Sequence, residues 1–295
     1  MVRAHQRAPP FLPLQEQLLP LQEQQAEQIM ASALTEISRP FRLHLSRGAE
    51  RTVPPALVLI VLLVTWEFSS DWFDVPKYLL PAPTDFMGRF VTDWRLIGYN
   101  ALATAFVVVI GFIIATFAAI PLGLALASSP SLQRNLMPVI VFFEIIPKTI
   151  AAPLFVVWLG FGFPPRILLT VVMTFFPILL NSVAGFTSIN PRLHLITKSM
   201  GASPWQSFRF IRLPAAMPYI FSGMKIGSVF AVSACMTAEF IGANEGLMAL
   251  ILSATDYMDL DLMFAGIMAT AILGTLFTGI LLGLEKWLMP WRSDQ

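Results

Sequence analysis

The sequence predicts an all-α polytopic membrane protein with about six transmembrane helices and both termini in the cytoplasm. Three observations carry that expectation. The 295 residues have a mean hydropathy of +0.70 and are 56% hydrophobic but only 13% charged, far from the balance of a water-soluble domain. Residues 96–133, 167–191 and 262–284 contain no Asp, Glu, Lys or Arg. Each is longer than the ~20 residues a helix needs to cross ~30 Å of hydrocarbon, and in lipid such segments satisfy their backbone groups as helices. The third observation is the uneven placement of Lys and Arg, which sets the orientation.

Residues 1–52 form a polar tail with Pro9, Pro10, Pro13 and Pro20, in which Pro-Leu-Gln-Glu-Gln occurs at Pro13–Gln17 and again at Pro20–Gln24. Its composition is that of a low-complexity segment, and no apolar core of signal-peptide type precedes residue 53. A first span is expected over 55–70, so that 53–79 holds it and the start of an outer segment. That outer segment continues to about Tyr99, with Trp72, Phe73 and Trp94 suited to an interface belt. Leu80-Pro81-Ala82-Pro83 favours extended or turn structure within it. Further spans follow at about 101–127, 136–161, 166–188, 215–242 and 262–288.

The tail carries six arginines (3, 7, 39, 42, 47 and 51), and the polar interruption at 190–214 carries Arg192, Lys198, Arg209 and Arg212. Residues 243–261 carry no Lys or Arg, but include Glu245, Asp256, Asp259 and Asp261. The excess of basic residues puts the tail and the interruption on the cytoplasmic side. The net charge of +1 conceals this asymmetry.

Enzyme signatures are absent. None of the five lysines (77, 148, 198, 225, 286) follows a glycine, so the chain has no phosphate-binding Gly-Lys loop. His5, His44 and His194 all fall in expected cytoplasmic segments, which excludes a His-Glu-x-x-His zinc site. No Gly-x-Ser-x-Gly elbow occurs, and the single cysteine, Cys235, excludes a disulfide framework or a cysteine metal cluster. Neither catalysis nor metal binding is expected of the chain.

Ionisable residues within spans are costly and tend to face a cavity or a partner. Glu144 and Lys148 lie four apart on one expected helical face and can pair. Either they neutralise one another, or they line a solute path. Glu239, near the outer end of the fifth span, is either an interface residue or, with Met236, part of the candidate path. Lys225 is expected to reach toward the cytoplasmic end, and Glu67 and Glu285 to be wet. Gly223-x-x-x-Gly227 has the spacing of closely packed helices.

The polar interruption reads as two short helices, 192–200 and 204–211, separated by Gly201-Ala202-Ser203. Gly201 suits a left-handed cap, Ser203 an N-cap and Pro204 the first helical position. Trp205, Phe208 and Phe210 give it aromatic surface fit for a groove on another protein. An interfacial helix on lipid headgroups is the alternative. Pro214 is expected to end the segment.

Gly201, nine residues, then Ile211-x-Leu213-Pro214 resembles the Glu-Ala-Ala loop of bacterial ABC-importer membrane subunits, the binding-protein-dependent permeases. The flanks Gly-Ala-Ser-Pro-Trp-Gln-Ser-Phe (201–208) and Leu-Pro-Ala-Ala-Met-Pro-Tyr-Ile-Phe-Ser-Gly-Met-Lys-Ile-Gly (213–227) are similar to the branch that imports nitrate, sulfonates, taurine and pyrimidine vitamin precursors. Leu80–Pro83, Ile146-Pro147-Lys148, Ala152-Pro153-Leu154, Trp158-Leu159-Gly160, Glu239-Phe240-Ile241-Gly242 and Gly246-Leu247 also match, so that the resemblance covers about residues 80–291. One departure is plain: Leu195-Ile196-Thr197 stands where the family has Glu-Ala-Ala, so no acidic contact carries over.

The resemblance implies a permease domain over 80–291 with an ATPase-docking loop at 190–214. Docking would fall to Lys198, Gly201, Ala202, Ser203, Trp205, Phe208, Arg209, Leu213 and Pro214. The implied partners are a separate ATPase subunit, a periplasmic or lipid-anchored solute-binding protein, a second permease copy and membrane lipid, with no nucleic acid. The chain would bind no cofactor, ATP and Mg residing on the ATPase. The expected location is the bacterial cytoplasmic membrane and the expected cargo a small organic solute, with a pyrimidine or riboflavin-type vitamin precursor favoured over sulfonate, taurine or nitrate. An ion-coupled secondary transporter is the alternative of another class.

Overall fold

The computed structural model describes residues 57, 58, 60–68, 80–189 and 199–292. The chain divides at Leu62 and Leu63 into two units, the first of which lies almost wholly outside the described residues. Every regular element among the described residues is helical, and the protein is an all-α polytopic membrane protein. The elements of the second unit are α1 (Pro83–Thr92), α2 (Trp94–Ser128), α3 (Pro130–Ile145), a 3-10 turn (Lys148–Ala151), α4 (Ala152–Leu159), α5 (Phe163–Thr187), α6 (Pro204–Phe240), α7 (Leu247–Asp256) and α8 (Leu260–Leu288).

α2, α5, α6 and α8 are each long and apolar enough to cross a membrane, and α3 with the following helical segment meets the same measure only as a bent pair, the form of a broken span or a re-entrant loop. Residues 60–68, within the first expected span, are helical; the rest of that span falls largely outside the described residues. Trp66 at its end packs on Phe86 of α1 and Phe264 of α8, with ring centroids 5.5 and 5.7 Å away. Glu67, expected to be wet, accepts hydrogen bonds from the backbone N–H and hydroxyl of Thr84.

α5 is the central helix, lying against α2 on one side and α6 on the other. Glycine makes both approaches possible. A Cβ on Gly123 of α2 would lie 2.7 Å from Ser182 of α5, and one on Gly223 of α6 would lie 2.7 Å from Asn181 and 2.9 Å from the Pro177 carbonyl. The Gly223/Gly227 pair thus marks a real contact. Val107, Val108, Phe112, Ile178, Leu179, Val183 and Ala231 fill the core between these helices.

Four expectations require correction. The third span is not one helix: Ile146 is extended ahead of Pro147, and the two helical pieces meet at 78°, because proline disfavours helical geometry in the residue before it. Among the described residues of the outer segment before the second span, all but 80–82 and Asp93 are helical: Pro83 takes the first position of α1, and α2 begins at Trp94. At 35 residues, α2 is about 52 Å long and outreaches the ~30 Å hydrocarbon core. The outer turn holds the ten-residue helix α7. Finally, Pro214 does not end the loop segment. α6 runs unbroken from Pro204 to Phe240 through a π-helical turn at Phe208–Arg212, in which the Leu213 N–H donates to the Phe208 carbonyl. The wider turn relieves the clash and lost hydrogen bond that a proline imposes on a regular α-helix.

Candidate functional site

Two places concentrate polar chemistry, one at each end of α6. At its start, Gly201 has φ +72°, the left-handed conformation expected of it. Ser203 caps the helix: its hydroxyl accepts from the Gln206 N–H at 3.2 Å, while the Gln206 side chain accepts from the Ser203 N–H at 2.8 Å. This reciprocal capping box fixes where the helix begins. Phe208 turns inward toward Phe186, Ala216 and Ile220, with Phe186 6.4 Å away centroid to centroid. Leu213 joins the same cluster, Pro214 is half-buried, and Arg212 donates to the Ser128 hydroxyl at the end of α2 at 3.2 Å. The loop is therefore seated on the ends of α2 and α5. Outward it shows large apolar side chains, Met200, Trp205 and Phe210 being 80%, 65% and 70% exposed, beside exposed Ser203, Gln206 and Arg209, the last over the Phe210 ring. Ala202 is half-buried, and Lys198 lies outside the described residues.

At the far end of α6, Glu239 is fully buried. Its carboxylate accepts from the Thr104 hydroxyl at 2.7 Å, the Met248 N–H at 2.9 Å and the Cys235 thiol at 3.4 Å. Thr104 accepts in turn from the Leu247 N–H at 2.8 Å, and Asn100 from the Gly246 N–H at 2.9 Å. The first N–H groups of α7 are thus held by side chains of α2 and α6, as a helix N-terminus requires. Gly246 has φ +120°, and a Cβ there would land inside the Glu239 carboxylate. Arg166 at the start of α5 is 4% exposed. It donates to the Gly162 and Glu245 carbonyls at 2.8 and 3.0 Å and lies 3.7 Å from the Glu245 carboxylate. Tyr99 donates to that same carboxylate at 3.0 Å. The knot pins the turn between α6 and α7 to three helices.

Sequence reasoning missed Asn100, Thr104, Arg166 and Gly246 as a group. The available signal was two polar residues four apart in an otherwise apolar helix, with an arginine at the start of another.

The remaining candidates are paired or packed. Lys148 makes a 2.9 Å ion pair with Glu144 and donates to its carbonyl at 2.9 Å, and its ammonium lies 4.7 Å from the Phe176 ring centre. The two do not share one helical face, as expected from their spacing, but face each other across the Pro147 break. There the ammonium serves the open carbonyl end of α3. Met236 is half-buried against Ile97, Leu247, Leu250, Ala265 and Ala269. One expectation outside this set changes. Lys225 pairs at 2.9 Å with Glu285 near the C-terminal end of α8, joining α6 to α8 and leaving the Glu285 side chain only 13% exposed rather than wet. Among the described residues, no group of three or more His, Cys, Asp or Glu side chains could hold a metal ion.

The family model for the binding-protein-dependent transport system inner membrane component matches residues 119–290. The chain belongs to this family. It is a multi-pass permease of the ABC-importer class, and membership implies an ATPase and a solute-binding protein as partners. Among curated relatives, the permease is 34% identical to the riboflavin transport system permease protein RibX of Chloroflexus aurantiacus, over 84% of this chain and 95% of the relative. It is 31% identical to the formylaminopyrimidine transport permease protein ThiX of Halalkalibacterium halodurans, over 83% and 98% respectively. It is 29% identical to the taurine transport system permease protein TauC of Escherichia coli, over 80% and 88%. These relatives are transport subunits rather than enzymes.

Proposed function

We propose that the permease spans a bacterial cytoplasmic membrane as one of two identical copies, that residues 190–214 receive a separate ATPase carrying ATP and Mg, and that the imported solute is a small vitamin precursor of the pyrimidine or riboflavin kind. The permease domain is taken as 80–291, with 1–52 a cytoplasmic tail. The observation that carries this reading is the exposed ridge of Met200, Trp205 and Phe210 around the Gly201 turn, at the head of a helix that runs unbroken into the membrane. A large apolar surface in a segment bearing Arg209 and Arg212 suits a protein groove better than lipid. Charge asymmetry supports a cytoplasmic position for that ridge, where an ATPase can reach it.

The engaged charges also favour this reading over a gradient-driven carrier. Glu144 with Lys148, Lys225 with Glu285, and Glu239 with its three donors are already committed to protein partners, whereas a carrier needs an ionisable group open to the path. Gly201→Val tests the docking role. A β-branched residue at φ +72° costs about 1–3 kcal/mol and rebuilds the turn, so ATP-driven uptake should be lost while membrane insertion is unchanged. Normal uptake by a well-inserted Gly201→Val protein would overturn it. A permease that purifies without any ATPase and takes up solute on an ion gradient alone would do the same.

A further inference from the structure

Two grooves run along α8, and their chemistry differs. The one shared with α2 has a volume of about 900 Å³ and is lined by Leu102, Val109, Ile272, Leu276, Phe277 and Ile280 among others, its polar groups confined to Trp94, Arg95 and Tyr99 at one end. Apolar flanks with an aromatic end suit lipid. The other, shared with α6, has a volume of about 610 Å³ and carries Ser233, Thr270, Thr275 and Thr278 between Val229 and Leu282. Hydroxyls gathered on one groove of a membrane protein mark a surface that meets something other than hydrocarbon.

The hydrogen bonds of this second groove decide what that something is. Ser233 donates to the Val229 carbonyl at 3.1 Å and Thr270 to the Gly266 carbonyl at 3.0 Å. The Ser228 hydroxyl donates to the Lys225 carbonyl at 2.7 Å, so the 3.0 Å contact between Ser228 and Thr278 leaves Thr278 as the donor. Three of the four lining hydroxyls have therefore spent their hydrogen on protein and offer a visitor only lone pairs. Thr275 alone, exposed among the described residues, keeps a hydrogen to give. No ionisable side chain lines the groove. The nearest cation along α6 is Lys225, one turn before Val229, and it is held by Glu285 at 2.9 Å.

We propose that the α6/α8 groove is the solute-binding face of the permease and that it selects uncharged solutes that carry N–H donors, such as aminopyrimidines, over sulfonates and nitrate. This rests on the importer reading above and adds the chemistry of its site. A sulfonate or nitrate presents acceptors alone and needs donors and positive charge. This lining gives it one hydroxyl hydrogen and no cation. An aminopyrimidine presents the two N–H bonds of its amino group to acceptor oxygens of the lining and a ring nitrogen to Thr275. The groove volume lies within the range of small-molecule sites.

The test uses the full transporter, with its ATPase and binding protein, in proteoliposomes. Radiolabelled uncharged aminopyrimidine and a two-carbon alkanesulfonate are the probes. If the unaltered transporter imports neither probe on ATP, the groove proposal is overturned, whereas the importer reading falls only if no ATPase assembles with the permease. If it imports the alkanesulfonate in preference, the importer reading stands and the groove proposal is overturned. With aminopyrimidine uptake established, S233A/T275V should raise the KM for it by about 10-fold while the complex still assembles. In the same assay S233K, which supplies a cation, should admit the alkanesulfonate, and L102A on the apolar groove should leave uptake unchanged. Unchanged uptake by S233A/T275V would assign the groove to lipid. Loss of the assembled complex in that variant would assign it to contact with a second copy. Either result overturns the proposal.

Discussion

Replacing Glu239 probes the outer knot most directly, because one fully buried carboxylate accepts from a backbone N–H, a hydroxyl and a thiol. In Glu239→Gln the amide oxygen can serve the Met248 N–H or the Thr104 hydroxyl, but not both, since the other terminal atom is now a donor. Thr104 can rotate to accept from the new NH₂, yet it already accepts from the Leu247 N–H, and its own hydrogen is then stranded. One orphaned buried donor costs about 1–3 kcal/mol. Glu239→Ala strands both the Met248 N–H and the Thr104 hydroxyl, for a total of about 2–6 kcal/mol by the same rule, and opens a cavity besides. The protein carries its own reporter: Cys235 is the single cysteine, is buried and touches Glu239. Labelling by a fluorogenic maleimide during heating therefore reads the opening of this region. With about 2–4 °C of midpoint per kcal/mol for a chain of this size, Glu239→Gln should label several degrees below the parent and Glu239→Ala lower still. Equal midpoints for all three proteins would refute the assignment of the carboxylate as the anchor of α7.

Further outcomes follow from other contacts. Gly246→Ala should lower the same labelling midpoint at least as far as Glu239→Gln, because it combines strain of about 1–3 kcal/mol at positive φ with displacement of the carboxylate. Arg166→Lys should cost about 1–3 kcal/mol, since an ammonium cannot span both the Gly162 and Glu245 carbonyls that the guanidinium joins. Lys225→Met should destabilise by removing the ammonium that faces the part-buried Glu285 carboxylate, and adding Glu285→Met should restore most of the loss, both read as detergent-solubilised melting midpoints. Ser203→Ala removes one half of the capping box and should cost about 1 kcal/mol, seen as faster amide exchange at 205–208 with exchange beyond 220 unchanged.

Much of the architecture was legible because lipid leaves a chain few choices. The charge-free runs became α2, α5 and α8 nearly as expected, and Gly201, Ser203 and Pro204 set the loop geometry through local backbone chemistry alone. What stayed hidden depends on partners distant in sequence. Nothing near Glu239 announces that Thr104, 135 positions earlier, will bind it, and nothing near Lys225 announces Glu285, 60 positions later. A carboxylate in an apolar run reads equally well as path lining or as anchor until its neighbours are in place. The break at Pro147 and the continuity through Pro214 teach the same lesson at short range. Proline ended one helix, where the preceding residue became extended, and was absorbed by another, where a wider turn made room.

That wider turn also sets the angular phase of α6. A π-turn holds one more residue than the α-helix it interrupts, and each residue turns the chain by about 100°. Phe208–Arg212 therefore fixes which compass direction Trp205 faces relative to Ser233 and Glu239. Removing one residue from this turn would leave the loop and the shaft each intact but rotate one against the other by more than a quarter of a circle. The exposed ridge would swing off the bearing on which it is now held, while the grooves stayed where they are. A single inserted position thus acts as the index mark between the two ends of the rod.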